Sequence, residues 1–221
     1  VWGISWNGNM WVAGGERNNT MAYSMDGINW IPVPNNTTIF STACYNVKWN
    51  RGEGSAHIQH PTIVVGSGTN TIAYSMDGIN WTGLGNNIFR FVGYKIAWNG
   101  TMWVAVGSGT NTMAYSMDGI NWTGLSNNVF SSSGRNIAWN GNMWLAVGFG
   151  DYTIAYSMDG MNWTPISNSK DMIMTYPLGV AWNGKIWIIC GQAMNDYSII
   201  YSSDGINWTS VSDSINIFST V

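Results

Sequence analysis

The chain of 221 residues is long enough to bury one substantial core, and only 9% of its residues are charged, with a formal net charge of −3. Its 8 Lys and Arg form no basic stripe, which argues against nucleic acid as a partner, and no apolar run is long enough to span a membrane as a helix. Fifteen Trp and 27 Gly among abundant Asn, Ser and Thr fit a repetitive β-protein with polar loops.

The chain begins at Val1 without an initiator Met, which implies either a removed leader or a piece of something longer. In the first repeat (1–35) an apolar run from Ile4 meets Asn7-Gly8. A second run then leads to a polar loop at 15–19, followed by Tyr23-Ser24-Met25-Asp26-Gly27-Ile28-Asn29-Trp30. The second repeat (36–84) starts its first run at Val47, carries an insertion at 51–61, and reaches the same eight-residue stretch at 74–81. The third (85–125) has its two runs at 96–107 around Asn99-Gly100 and the stretch at 115–122. The fourth (126–168) has runs at 137–148 around Asn140-Gly141 and the stretch at 156–163, with Met161 for Ile. The fifth (169–221) starts at Val180, turns at Asn183-Gly184 and ends on 201–208, with Ser203 for Met.

Asn-Gly between two apolar runs is the strongest short hairpin signal. Asp-Gly between Tyr-Ser and Asn-Trp is a second turn, in which the carboxylate bonds turn amides and Gly supplies a positive φ. Each repeat therefore reads as a four-stranded antiparallel meander. In the strand 102–107, Met102, Val104 and Val106 take one face and Trp103, Ala105 and Gly107 the other. Neither face is polar, so each sheet must be covered on both sides. Four-stranded sheets recurring every 40-odd residues are the mark of a propeller. Asp26, Asp77, Asp118, Asp159 and Asp204 are read as structural turn residues, since a catalytic carboxylate is not needed once per repeat.

The Ser-x-Asp-Gly-x-x-Trp residues (Ser24, Asp26, Gly27 and Trp30 and their equivalents) resemble the Asp-box, or BNR repeat, of sialidase-type β-propellers. The box here is one residue shorter than the family's usual pattern, with Gly directly after Asp. The resemblance implies a turn between the third and fourth strand of each blade, with a structural role.

The register predicts closure. The first-strand tryptophans are Trp6, Trp49, Trp98, Trp139 and Trp182, and Phe40, Phe89, Phe130 and Ile173 lie nine residues before the last four. Joining Val221 to Val1 places Phe218 nine residues before Trp6. The expected fold is thus all-β: a five-bladed β-propeller of four-stranded antiparallel blades, closed into a ring with adjacent termini. The alternative is five blades of a larger ring completed elsewhere.

The turns on the Asp-Gly side are alike, apart from the insertion, while the loops opposite diverge. Binding usually lives on loops held by a constant scaffold, so the variable face is the candidate working surface. Four residues before each first-strand tryptophan stand Trp2 (through the join), Tyr45, Tyr94, Arg135 and Leu178. Each is expected where its chain enters the innermost strand, at the mouth of the central channel. Trp2, Tyr45, Tyr94 and Arg135 offer flat faces for a sugar ring, with Asn46, Asn136 and Lys95 beside them to bond hydroxyls. The competing reading is that these rings wedge between blades.

No catalytic constellation emerges. The arginine triad, Tyr/Glu pair and acidic Asp of sialidases have no counterparts that can be carried over, and Arg51 and Glu53 sit on the wrong side. The variable-face acids Glu16, Asp151, Asp171 and Asp196 come from different blades, with no pair suited to flank a glycosidic bond. His57, His60 and Glu53 share the insertion but lack a fourth ligand, so no metal is expected, and no cofactor. Cys44 and Cys190 read as free thiols. Asn-Trp-Thr sequons such as that at Asn80 are compatible with an extracellular or particle-surface location.

The expectation is a non-catalytic binding propeller, carbohydrate-binding and similar in architecture to five-bladed lectins. Its partner would be a glycan or a protein surface. The second reading is a structural or protein-interaction scaffold on a virion, fibre or cell surface, with Phe91, Phe149 and Met194 as an exposed patch. The third, a sialidase-like hydrolase, requires converging carboxylates.

Overall fold

A computed structural model describes residues 1–49, 61–167, 169–172, 176–192 and 198–217. All strand pairing is antiparallel. The first unit is a four-stranded sheet of β1 (Gly3–Trp6), β2 (Trp11–Gly14), β3 (Met21–Ser24) and β4 (Ile31–Pro32), paired in chain order. A 12-stranded sheet follows, made of three such meanders. They are β5 (Ala43–Lys48) to β8 (Thr82–Gly83) with β6 (Thr62–Ser67) and β7 (Ile72–Ser75), then β9 (Val92–Trp98), β10 (Trp103–Ser108), β11 (Met113–Ser116) and β12 (Thr123–Gly124), then β13 (Ser133–Trp139), β14 (Trp144–Phe149), β15 (Ile154–Ser157) and β16 (Thr164–Pro165). Single residue pairs, Ser67 with Val92 and Ser108 with Ser133, join these meanders. The last sheet is β17 (Tyr176–Trp182), β18 (Trp187–Gln192), β19 (Ile199–Ser202) and β20 (Thr209–Ser210).

Local chemistry explains the hairpins. At the Asn-Gly turns Gly8, Gly100, Gly141 and Gly184 have φ between 93° and 109°. The preceding Asn side chain closes each turn; Asn99 Oδ1, for example, accepts from the amides of Thr101 (2.9 Å) and Met102 (2.7 Å). Beside each of these turns two tryptophans face one another across the strands. The pairs Trp6–Trp11, Trp98–Trp103, Trp139–Trp144 and Trp182–Trp187 have ring centroids 4.8 to 5.2 Å apart. Such a pair contributes about 0.5–1.5 kcal/mol beyond its buried area.

The core lies between units. Four apolar clusters are present among the described residues, each shared by two successive meanders. The pattern is head-to-tail: Leu145 and Val147 of β14 pack on Trp187 and Ile189 of β18, just as Val104 and Val106 of β10 pack on Trp144 and Ala146 of β14. The central strands are buried on both faces, as their two apolar sides require. Phe40, Phe89 and Phe130, the aromatic residues that end the approach to each inner unit, are fully buried. At Gly107 and Gly148 the absent side chain leaves room for the rings of Phe89 and Phe130, 2.6 Å from where a Cβ would stand.

The outer faces of the first and last units differ from the inner ones. Ile4 is 53% exposed where its equivalents Ile96 and Ile137 are 2% and 3% exposed. Ile188 is 37% exposed where Leu145 is fully buried, and the Cys190 thiol is exposed where Val106 and Val147 are covered. No apolar cluster among the described residues joins the fifth meander to the first. Phe218 and Val221, on which the closure register rests, lie outside the described residues, as does Ile173.

One-turn helices α1 (Asn36–Ile39), α2 (Ser169–Met172) and α3 (Ser214–Ile217) lead out of the first, fourth and fifth meanders, an element the strand pattern does not predict. In α1 the buried Asn36 explains the turn. Its Oδ1 accepts from the Thr20 amide at 2.7 Å and its Nδ2 donates to the Val33 carbonyl at 2.7 Å, so it replaces strand pairing at that corner.

Candidate functional site

The pairing register separates two ends. Trp103 pairs with both Trp98 and Ser116, which puts the Asn-Gly and Asp-Gly turns at one end of the sheet. Gly107 and Ser108 pair with Gly93 and Val92 at the other, where the variable loops lie.

At the Asp-Gly end one arrangement recurs in all five units. Asp118 Oδ1 accepts from Ser116 Oγ (3.0 Å) and from the amides of Ile120 (2.8 Å) and Asn121 (2.7 Å), while its Oδ2 accepts from Asn121 Nδ2 (2.7 Å). Asp26, Asp77, Asp159 and Asp204 make the same set of bonds. Burial is the largest single influence on the carboxyls of Asp77 and Asp118 and pushes them up, but the bonds from Asn80 and Asn121 and their neighbours together outweigh it and hold both at about 2. In Asp26 and Asp159 the backbone bonds from Asn29 and Asn162 lead in lowering the carboxyl, and in Asp204 the Asn207 side chain does. In the second to fifth units the glycine after Asp is also a contact point with the preceding unit, whereas Gly27 meets only Trp11 of its own unit. Gly119 has φ +78°, and a Cβ there would stand 2.7 Å from Ile63 of the preceding unit and 3.3 Å from its own unit's Trp103 Nε1. In each turn Oδ1 takes three donors and Oδ2 one, which holds the carboxylate ionised in its turn.

At the opposite end each of the four longer first strands carries a β-bulge. The pairing slips at Tyr45 in β5, at Tyr94 in β9, at Arg135 in β13 and at Leu178 in β17. Each of these residues is the extra one of its bulge, left without a cross-strand partner, and a bulge re-aims the side chain it carries. Trp2 stands at the matching place before β1, its amide donating to the Gly14 carbonyl at 2.8 Å.

The re-aimed side chains form one continuous arc. The rings of Trp2 and Tyr45 are 6.2 Å apart and those of Tyr45 and Tyr94 are 5.9 Å apart, all tilted near 50°. The Arg135 guanidinium lies 4.0 Å from the Tyr94 ring centroid and 4.7 Å from that of Phe149. Phe149 in turn meets Tyr176 edge-on at 5.0 Å. The arc thus takes a group from every unit. Trp2 is 58% exposed and Tyr176 is exposed, while Tyr45, Tyr94, Arg135 and Phe149 are half-buried. Arg135 Nε is buried and has no hydrogen-bond partner among the described residues.

Below the arc a cavity of about 350 Å³ opens between the first strands, lined among others by Ser5, Asn46, Lys48, Lys95 and Ala97. Lys95 is half-buried, and burial, followed by the nearby charge of Lys48, lowers its ammonium below the usual range. Asn46 is buried, and its Oδ1 accepts from the Ile96 amide at 3.4 Å. Asn136 donates to the Leu178 carbonyl at 3.0 Å and accepts from the Ile137 amide, so its amide group is engaged in holding two first strands together.

The sequence count four residues before each tryptophan leaves out Phe149 and Tyr176, which complete the arc. Leu178 is exposed and contributes no ring. Phe91 stands apart, exposed, with the Arg90 guanidinium 5.5 Å over its ring. His57, His60, Glu53, Arg51, Met194 and Asp196 lie outside the described residues. Among the described residues no group of three or more His, Cys, Asp or Glu is placed to hold a metal.

No protein-family model matches the chain, and no curated protein does. Solved structures do. The GH74 enzyme of Niastella koreensis superposes with a TM-score of 0.59 at 18% identity, over 96% of this chain and 31% of that one. YCF48 bound to a D1 peptide gives 0.64 at 16% identity, over 98% and 68%. A chain of a nidogen/laminin complex gives 0.64 at 12% identity, over 94% and 78%. The fold is a β-propeller. The chain spans less than a third of the length of the GH74 enzyme, and identities this low speak to fold alone.

Proposed function

We propose that this chain is a non-catalytic binding propeller that recognises carbohydrate through the face opposite the Asp-Gly turns. The observation that carries this reading is the arc of flat groups from Trp2 to Tyr176, three of them (Tyr45, Tyr94 and Arg135) set on bulges at equivalent places in successive units, and partly open to solvent. Aromatic faces stack on the apolar face of a sugar ring, and the arc spans several sugar widths, so that successive residues of an oligosaccharide add their contributions. The repeated aspartates are occupied by their turns, which supports binding without hydrolysis. A glycan array probed with the purified protein tests the proposal: saturable retention of defined sugars supports it, and silence across the array contradicts it.

A protein or peptide ligand is the second reading. Its support is the exposed Phe91 and Leu178 near the same face, together with neighbours whose own structures contain a peptide and a protein partner. Retention of a protein partner with an unreactive glycan array would favour it.

We also propose that the units form a closed five-bladed ring, with the Ile188–Cys190 face of the fifth seated on the Ile4–Trp6 face of the first. The support is complementarity: these are the two halves of the head-to-tail contact made at the inner boundaries, and both are apolar. Five blades of a larger ring would cover the same faces with further units. The short Ser-x-Asp-Gly turn would then be a variant Asp-box that welds neighbouring blades through its glycine.

A further inference from the structure

The protein carries a net charge of −3, yet the five first strands hold no acid at all. Their only charged residues are Lys48, Lys95 and Arg135, three of the chain's 8 Lys and Arg, gathered on three successive strands. Five of the 11 Asp and Glu are spent at the Asp-Gly turns on the far end. Of the other described acids, Glu16, Asp151 and Asp213 are exposed, and Asp171 stands in α2, away from the first strands in the chain.

Two cations lining one cavity, Lys95 half-buried and Lys48 exposed, repel one another and attract an anion. Lys95 lines the cavity together with Lys48, and the one charged neighbour that perturbs it is that second cation. Arg135 has its guanidinium faces taken by Tyr94 and Phe149, so its polar edges are what it can offer, and Nε has no partner among the described residues. The cavity is polar at this level, with Ser5 and Asn46 beside the lysines.

We propose that the cavity between the first strands is an anion subsite: Lys95, just below the bulges, with Lys48 deeper in the cavity, receives the carboxylate or sulfate of an acidic sugar whose ring rests on Tyr45 and Tyr94. This rests on the carbohydrate reading above and adds to it the charge of the ligand. The acid group supplies a counter-charge that no described residue of the first strands supplies, and the rings supply flat contact, so the two recognise different parts of one sugar. A neutral sugar makes only the second set of contacts. The charge-assisted bonds of the first set are the source of discrimination between acidic and neutral sugars.

The test is an array of oligosaccharides containing glucuronate or sulfated sugars, each printed beside its carboxyl-reduced or desulfated counterpart, with peptides of free and amidated C-terminus alongside. The expected result is retention of the acidic members, with their neutral counterparts at least about tenfold weaker. Lys95→Met keeps the aliphatic stem and should bring the acidic signal down to the neutral one without lowering the melting temperature. If that variant folds poorly, Lys48→Met reads the same question from the next strand. Equal retention of acidic and neutral members, unmoved by either substitution, overturns the anion subsite and leaves carbohydrate binding standing. Retention of no sugar overturns both. Binding confined to peptides with a free C-terminus overturns the acidic sugar and assigns the cations to a peptide carboxylate.

Discussion

The guanidinium of Arg135 lies 4.0 Å from the ring centroid of Tyr94, and the two belong to neighbouring first strands at the same bulge position. The contact joins two units at the variable end, beside the Tyr45–Tyr94 ring pair. A cation over an aromatic face at a partly exposed site contributes about 0.5–1 kcal/mol. Arg135→Met should therefore lower the melting temperature by only about 2–4 °C, as read by calorimetry. It should weaken glycan retention far more than that small change implies, because it frees both the Tyr94 and Phe149 rings to rotate.

The Asp-Gly turn is the opposite case, with its cost in stability and none in binding. Asp118→Ala removes four accepted hydrogen bonds at an exposed turn, and about 1 kcal/mol of destabilisation is expected, with glycan retention unchanged. Loss of retention at unchanged stability would make the aspartate a ligand contact.

Acid should reveal the same turns through linkage. The carboxyls of Asp77 and Asp118 are held at about 2, below the ordinary value of 3.8. Their contribution is fully present above the unfolded pKa and is lost as pH falls through the folded one. Between these values the unfolded chain binds more protons than the native one, so stability rises with pH. Unfolding by urea at several pH values between 4 and 2 should show this slope. Asp118→Asn should remove up to about one proton from it.

Gly119 tests the packing between units. With φ +78° and Ile63 2.7 Å from the place of a Cβ, Gly119→Ala should cost more than the ordinary 1 kcal/mol of a left-handed Ala, about 2–3 kcal/mol in all. Gly85 has nearly the same φ, +74°, but nothing lies within 4 Å of its Cβ position, so Gly85→Ala isolates the backbone part. Equal losses at the two sites, measured by urea unfolding, would remove the packing role.

The hairpins and the two-sided burial of the central strands were legible because both are local. Asn-Gly and Asp-Gly dictate a turn wherever they stand, and Trp103-Val104-Ala105-Val106 has no polar face to show to water. The position four residues before each tryptophan was legible because repeats share a register, and it coincides with the bulge. Phe149 and Tyr176 were not: Phe149 joins the arc through the bulge that turns Arg135 toward it, and Tyr176 through a contact across two units, neither of which a spacing records. The exposure of Ile4 and Ile188 was equally hidden, because each reads as the same core residue found in every other repeat. The one-turn helix at Asn36 depends on bonds to Thr20 and Val33 that a strand pattern cannot express.

Closure can be read from a single thiol. Cys44 is buried, with burial pushing its thiol up, so it should stay unreactive in the folded protein. Cys190 is exposed on the outer face of the fifth unit. In the proposed ring it is covered as Val106 and Val147 are. The native protein should then show no fast-reacting thiol toward a chromogenic disulfide, and two on unfolding. One fast thiol in the native state would mean that the ring stands open at that face.

The central claim is that the arc at the variable end is where ligand binds. The most direct measurement is glycan retention by Trp2→Ala and Tyr94→Ala against the parent, with Asp118→Ala as the far-end control and melting temperatures recorded for all. Both arc variants should bind at least about tenfold more weakly, while Trp2→Ala, which removes a largely exposed ring, melts within about 2 °C of the parent. Arc variants that hold a confirmed glycan as tightly as the parent would contradict the account.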